Sequence, residues 1–308
     1  MKRIFLLLLL LPCLARALNL PHISTENLPR IEAGAKMARE NGWPVRIQLG
    51  MPDATKGSAL DFYAVDRAAE LLKGLPVVLV DYTQPSNSKY VRALFTVPNS
   101  QADVDLWRNW KNPDCKKEIP ESEWPVFQGI SDALYNRFLT IHAGAVIRQL
   151  ENEPGNVVDA SLDPALAYGY VRPEIRRFLD YRISHSSGVL CAPAWETQSM
   201  EGLLEQIDAE NRRVYSKCAY QSINWYLTKW LPGDTPTKWA KRCIAEIKAF
   251  KEGIWWPGRP VIVSELGAIG CPKERRVECY KAFLRYAPSW MKYTCWYTYK
   301  DPQWGLAN

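Results

Sequence analysis

Short apolar runs rich in β-branched residues alternate along the chain with stretches in which apolar residues recur every three or four positions. The first kind of run suits a strand buried on both faces, and the second suits an amphipathic helix. Their regular alternation is the signature of a parallel sheet built from βα units. Eight runs read as strands: Leu18 to Pro21, Pro44 to Leu49, Pro76 to Asp81, Ala145 to Leu150, Val189 to Pro193, Val214 to Tyr220, Pro260 to Ser264 and Tyr293 to Tyr297. Eight parallel strands close a barrel, so the pattern predicts an α/β chain folded as a single-domain (β/α)8 TIM barrel.

The intervening stretches carry helix signals. Ile175, Phe178, Leu179 and Ile183 share one helical face, as do Val277, Tyr280, Phe283 and Leu284. Pro173 and Pro272 suit first helical turns, while Gly42 and Gly74 stand where helices should stop ahead of a strand. No tandem repeat, charge block or low-complexity tract interrupts the order. The segment from Thr83 to about Ser122 is too long for a simple connection and carries Tyr90, Phe95, Trp107 and Trp110. Because it leaves a strand's C-terminal end, it is expected to wall an active-site cleft.

The first seventeen residues change the picture of where the protein works. A basic start, six leucines from Leu6 to Leu11 and the small-residue site Ala15-Arg16-Ala17 read as a signal peptide over residues 1–17, ahead of a catalytic domain over 18–308. The apolar run is shorter than the roughly 20 residues that span a bilayer. A secreted protein, extracellular or periplasmic, with no membrane attachment after cleavage is therefore expected. Loss of Lys2, Arg3 and Arg16 with the leader lowers the formal charge from +6 to +3, which argues against a nucleic-acid partner. A monomer is expected, and a hydrophobic content of 47% is ample for one core.

Of the eight cysteines, Cys13 falls in the leader, leaving Cys115, Cys191, Cys218, Cys243, Cys271, Cys279 and Cys295. An oxidising compartment should pair some of them, and an odd count leaves at least one free. Three lie in the strand runs, where a buried thiol acts as a small hydrophobe. Cys271 and Cys279 flank the start of one helix and form a candidate disulfide pair.

The chemistry sits where strands end. Gln149-Leu150-Glu151-Asn152-Glu153-Pro154 closes the fourth run in a polar cluster, and Val261-Ile262-Val263-Ser264-Glu265 closes the seventh in a carboxylate. In a barrel, catalytic groups sit at such ends. Retaining glycoside hydrolysis needs one carboxyl group to protonate the leaving oxygen and an ionised one to attack the sugar, about 5 to 5.5 Å apart. A lone glutamate at a strand end is usually a cap or half of an ion pair, whereas two at the fourth and seventh strand ends favour catalysis.

These residues resemble the clan A glycoside hydrolases, and Asn152-Glu153-Pro154 is similar to the motif of the cellulase-like family five. The resemblance implies that Glu153 is the general acid/base and Glu265 the nucleophile. It implies that Arg46, in Val45-Arg46-Ile47, holds the nucleophile ionised, since a guanidinium beside a carboxylate favours its charged form. It implies that Tyr220 hydrogen-bonds the nucleophile from the sixth strand, that Trp296 floors the subsite beside the scissile bond, and that Asp81 helps to hold substrate. Two departures stand out: Cys218 occupies the place, two residues before the sixth-strand Tyr, where many family members have His, and Asp81-Tyr82-Thr83 replaces an Asp-x-His.

Thirteen tryptophans are a high count, and Trp195, Trp225, Trp255, Trp256, Trp296 and Trp304 follow strand runs. Indole faces stack on pyranose rings, so Trp195 joins Arg46, Asn152, Tyr220, Trp296 and Asp81 as a candidate substrate-binding or supporting residue. The three histidines, His22, His142 and His185, show no metal-ligand spacing, and no phosphate or dinucleotide fingerprint occurs. Neither a metal nor a cofactor is expected. The reading is a secreted retaining β-glycoside hydrolase acting on a β-linked glucan, mannan or galactoside. A non-catalytic glycan-binding barrel and a transglycosylase using the same residues are the alternatives.

Overall fold

Eight parallel strands form from the β-branched runs: β1 Arg16–Asn19, β2 Val45–Gln48, β3 Val77–Asp81, β4 Val146–Leu150, β5 Val189–Glu196, β6 Tyr220–Trp225, β7 Val261–Leu266 and β8 Met291–Trp296. Each pairs with the next in chain order, and β8 pairs back onto β1, which closes the sheet into a barrel. The computed structural model describes residues 16–49, 62–81, 121–150, 173–196, 216–254 and 258–296. Within them the helices are α1 Leu28–Asn41, α2 Phe62–Leu71, α3 Trp124–His142, α4 Pro173–His185, α5 Pro236–Ile254 and α6 Arg276–Tyr286. The predicted (β/α)8 TIM barrel is the observed fold.

Local signals place the helix ends. Pro173 opens α4, its missing N–H falling where the first turn needs none. Gly42 ends α1 in the left-handed region at φ 65°, and the Trp43 N–H turns back onto the Ala38 carbonyl at 2.8 Å. A residue with a Cβ would meet no neighbour at Gly42, so its cost there is one of backbone conformation.

Alternation along each strand sorts side chains into two cores. Outward-facing Val45, Ile47, Val77 and Leu79 pack against Ile31, Ala35, Ala64, Ala68 and Phe138 of the helices. On the other half, Ile223, Trp225, Val263 and Leu266 pack against Trp239, Ile247, Phe250 and Phe283. Each large apolar side chain so buried contributes about 1.5–3 kcal/mol. Inside the barrel, Val78, Ile147, Cys191 and Ile262 make an apolar plug, with Tyr220 and Tyr293 packed against it. Above the plug the buried side chains turn polar, among them Arg46, Gln149, Ser222, Ser264 and Glu265.

Strand boundaries shift from expectation in several places, with β5 running on to Glu196, β7 to Leu266 and β8 starting at Met291, and the shifts at β6 and β1 matter most. β6 begins at Tyr220, where the apolar run was expected to end, because Ser216 and Lys217 form the turn that feeds it. Its inward positions Ser222 and Asn224 are polar, so no continuous apolar run marks it. β1 begins at Arg16, two residues early. Arg16 and Ala17 pair with Thr294 and Cys295 of β8, and Leu18 and Asn19 pair with Val45 and Arg46 of β2. A cut after Ala17 would remove the half of β1 that meets β8.

Candidate active site

A bulge in β7 aims the chemistry. Between Ile223↔Val263 and Asn224↔Glu265, β7 carries one residue more than β6, and between Val263↔Thr294 and Leu266↔Trp296 it carries one more than β8. The extra residue breaks strict alternation, so both Ser264 and Glu265 face the barrel interior while Val263 and Leu266 face the helices. Ser264 sits against the Ser222 hydroxyl and donates to Gln149 Oε1 at 3.1 Å. That contact joins the C-terminal halves of β4 and β7 across the barrel.

Glu265 lies at the C-terminal end of β7 with 6% of its side chain accessible. Arg46 Nη1 stands 3.4 Å from Oε1, and the Tyr226 hydroxyl donates to Oε2 at 2.6 Å. Arg46 is itself anchored, with Nε donating to Gln149 Oε1 at 3.4 Å and Nη1 to Asn19 Oδ1 at 3.1 Å. A fixed cation and a hydroxyl donor both favour the anionic form of this carboxylate. Cys295 completes the inner wall; burial pushes its thiol up to about 12, with Glu265 adding to the rise and Arg46 opposing it, so it stays neutral. The arrangement presents a carboxylate, with a guanidinium beside one oxygen and a phenol hydroxyl on the other, at the barrel end where TIM-barrel enzymes do their chemistry.

The expected residues fall into three groups. Arg46 stands beside Glu265 as anticipated. Glu153 and Asn152 lie outside the described residues, as does the Trp195 side chain, although Trp195 itself belongs to β5. Tyr220, Asp81 and Trp296 are elsewhere. Tyr220 opens β6 and packs on the apolar plug at the opposite end of the barrel; the hydroxyl that reaches Glu265 belongs to Tyr226, just past the strand. The position two residues before that tyrosine is Asn224, paired with Glu265 in the ladder, and not Cys218.

Asp81 faces the helices, because alternation along β3 turns Val78 inward and Val77, Leu79 and Asp81 outward. It pairs with Arg148 at 2.7 Å and Arg182 at 2.8 Å and accepts the Ser131 hydroxyl. Burial alone would push this carboxyl up, but the Arg182 and Arg148 charges and these hydrogen bonds outweigh it and hold it below the usual carboxylate range. Arg148 also bonds Asp132 at 2.6 Å and stacks over Tyr135 at 4.5 Å. This buried network braces β3 and β4 against α3 and α4. Trp296 likewise faces outward, edge-on to Tyr280 at 5.5 Å and near Trp239 at 6.1 Å, in the helix-side core. That is not where a subsite floor would stand.

Tyr226 and Asn19 lie outside every motif in the sequence, and Gln149 stands there only as the first residue of the polar cluster that closes the fourth run. A polar residue at every second position, as in Ser222, Asn224 and Tyr226, is the signal that marks an inward-facing polar row. Among the described residues no cluster of three or more His, Cys, Asp and Glu side chains could hold a metal, and no helix is long and apolar enough to cross a membrane.

No known protein family's model matches the sequence, and no curated protein matches it. Solved structures do share the fold. A family 39 glycoside hydrolase from the gut symbiont Bacteroides cellulosilyticus WH2 superposes with a TM-score of 0.53 at 14% identity, over 93% of this chain and 56% of that one. Thermotoga maritima Cel5A, solved with mannotriose, superposes at 0.50 and 15% identity over 95% and 92% of the two chains. Endo-glycoceramidase II from Rhodococcus sp., described as a lactosyl-enzyme intermediate, does so at 0.51 and 13% identity over 94% and 74%. The chain thus has the barrel architecture of these glycoside hydrolases.

Proposed function

We propose that the chain is a retaining β-glycoside hydrolase of the clan A type, with Glu265 as nucleophile and Glu153 as general acid/base. The observation that carries the reading is the Glu265 carboxylate at the mouth end of β7, clamped by the Arg46 guanidinium and the Tyr226 hydroxyl. Further support comes from the Ser264 to Gln149 contact, which links the residue before Glu265 to β4, the strand that Glu153 follows in the sequence. In this mechanism Glu265 attacks the anomeric carbon while Glu153 protonates the departing oxygen, giving a glycosyl-enzyme. Glu153 then takes a proton from water as the water attacks, and Glu265 leaves as the carboxylate. A β-linked oligo- or polysaccharide of the glucan, mannan or galactoside type is the proposed substrate, and the leader-like residues 1–17 support export.

The test is turnover of aryl β-glycosides, soluble β-glucan and mannan by the full chain. Glu265→Ala is expected to abolish hydrolysis, and added azide to restore part of it by attacking in the place of the missing carboxylate. Unchanged activity in that variant refutes the assignment. Tight glycan binding by the wild-type chain with no product on any substrate would favour the non-catalytic alternative.

A further inference from the structure

The turn that leaves β7 carries a feature that the proposed hydrolysis does not use. After Leu266 the chain bends so that the Cys271 N–H donates to the Ala268 carbonyl at 3.1 Å, passes Gly270 at φ 75°, and enters α6 through a short 3-10 turn, Lys273–Arg275. The Trp230 N–H, on the segment after β6, donates to the Ile269 carbonyl at 2.8 Å and ties this turn to its neighbour. The bend brings Cys271 Sγ to 3.5 Å from Cys279 Sγ, in the second turn of α6. Both thiols are buried, 4% and 0% exposed, against Ala268 and the helix-side core.

The two thiols are not equivalent. The hydrogen bond shared with Cys279, together with the nearby Arg276 and Arg275, holds the Cys271 thiol below its ordinary value despite its burial. The same bond and its own burial push Cys279 up. Cys271 is therefore the first to ionise, and Cys279 keeps its proton for as long as its neighbour is a thiolate. Sulfur atoms in contact at this distance need to close by about 1.5 Å to reach bonding length, a movement within reach of side-chain torsions.

We propose that Cys271 and Cys279 form an intrachain disulfide on exposure to a small-molecule disulfide such as oxidised glutathione, clasping the turn that follows Glu265. The Cys271 thiolate attacks one sulfur of oxidised glutathione, forming a mixed disulfide and releasing one glutathione thiolate. Cys279 loses its proton to solvent and attacks Cys271 Sγ, expelling the second glutathione. Two protein thiols are oxidised and one disulfide is reduced to two thiols.

The full chain is incubated with oxidised glutathione under native conditions, its remaining thiols are alkylated in denaturant, and it is digested with trypsin without reduction. Lys273, Arg275 and Arg276 lie between the two cysteines, so digestion separates them into two peptides. The expected result is one species holding the Cys271 peptide and residues 277–281 together, which divides in two on reduction. Alkylation of both thiols, a lasting glutathione adduct on either, or linkage to a different cysteine overturns the proposal. Closing so short a loop should raise the melting temperature by roughly 5 °C, an increment lost with reductant. Cys279→Ser should show no reductant-dependent shift, and an undiminished shift in that variant also overturns it.

Discussion

Tyr226→Phe removes one oxygen from the Glu265 site and leaves the ring that fills the space. The lost contact is an O–H to carboxylate bond of 2.6 Å in a buried setting. A hydrogen bond to a charged group is worth about 1.5–3 kcal/mol. At about 1.36 kcal/mol per unit, its loss should raise the acid limb of the kcat/KM profile by about 1 to 2 pH units, because that limb reports ionisation of the free enzyme's nucleophile. Deglycosylation should slow as well, since Glu265 leaves the sugar as an anion in that step. With about half of the charge developed in the transition state, the loss is about 0.8–1.5 kcal/mol, or roughly 4- to 13-fold. Arg46 is the less informative target: deleting it takes the cation away from a buried carboxylate, at a cost of about 3–5 kcal/mol in stability. The assay is the pH dependence of kcat/KM on an aryl β-glycoside for wild type, Tyr226→Phe and Tyr220→Phe. An acid limb that stays put in Tyr226→Phe, or that moves equally in Tyr220→Phe, refutes the reasoning.

Two further substitutions separate packing from function. Asp81→Asn should lower stability by about 3–5 kcal/mol, since it removes the carboxylate charge between two buried arginines, while KM of the folded protein stays within about 2-fold. The Asp81 carboxyl is held below its ordinary 3.8, so its contribution is complete above that pH and disappears as pH falls through the lower folded value. Urea unfolding at pH 7 and pH 3 should therefore show the gap to wild type narrowing in acid; a raised KM without loss of stability would restore a substrate-binding role. His142 is buried and stacked on Phe138 at 5.5 Å, and burial lowers its pKa below 6.5, with backbone carbonyls of Leu75 and Leu72 opposing. Its contribution is complete above pH 6.5 and is lost as pH falls towards the folded value, by up to about 1.4 kcal/mol per unit of displacement. Melting temperatures from pH 7.5 to 5 should fall more steeply for wild type than for His142→Gln, and parallel curves would discount it.

The barrel was legible in the sequence because it rests on one-dimensional information. Strands buried on both faces need unbroken apolar runs, helices need a period near 3.6, and seven of the eight runs mark the strands that formed. Glu265 and Arg46 stood out as charged residues ending or interrupting apolar runs, but Asp81 and Arg148 share that pattern and pair on the helix side, so the charge alone did not say which of them face the interior. β6 escaped because its inward face lies in the polar upper layer, so Ser222 and Asn224 break the run, and the tyrosine was sought six residues too early. The roles of Asp81 and Trp296 depended on which way a strand residue points. That parity is set by alternation counted from a known partner, and at β7 a single extra residue overrides it. Composition and periodicity thus determined the number and kind of elements and the presence of a carboxylate at a strand end. Only the closed barrel decided which side chains share its interior, because inward or outward facing is a property of ladder register and bulges, and register exists between strands and not within any one of them.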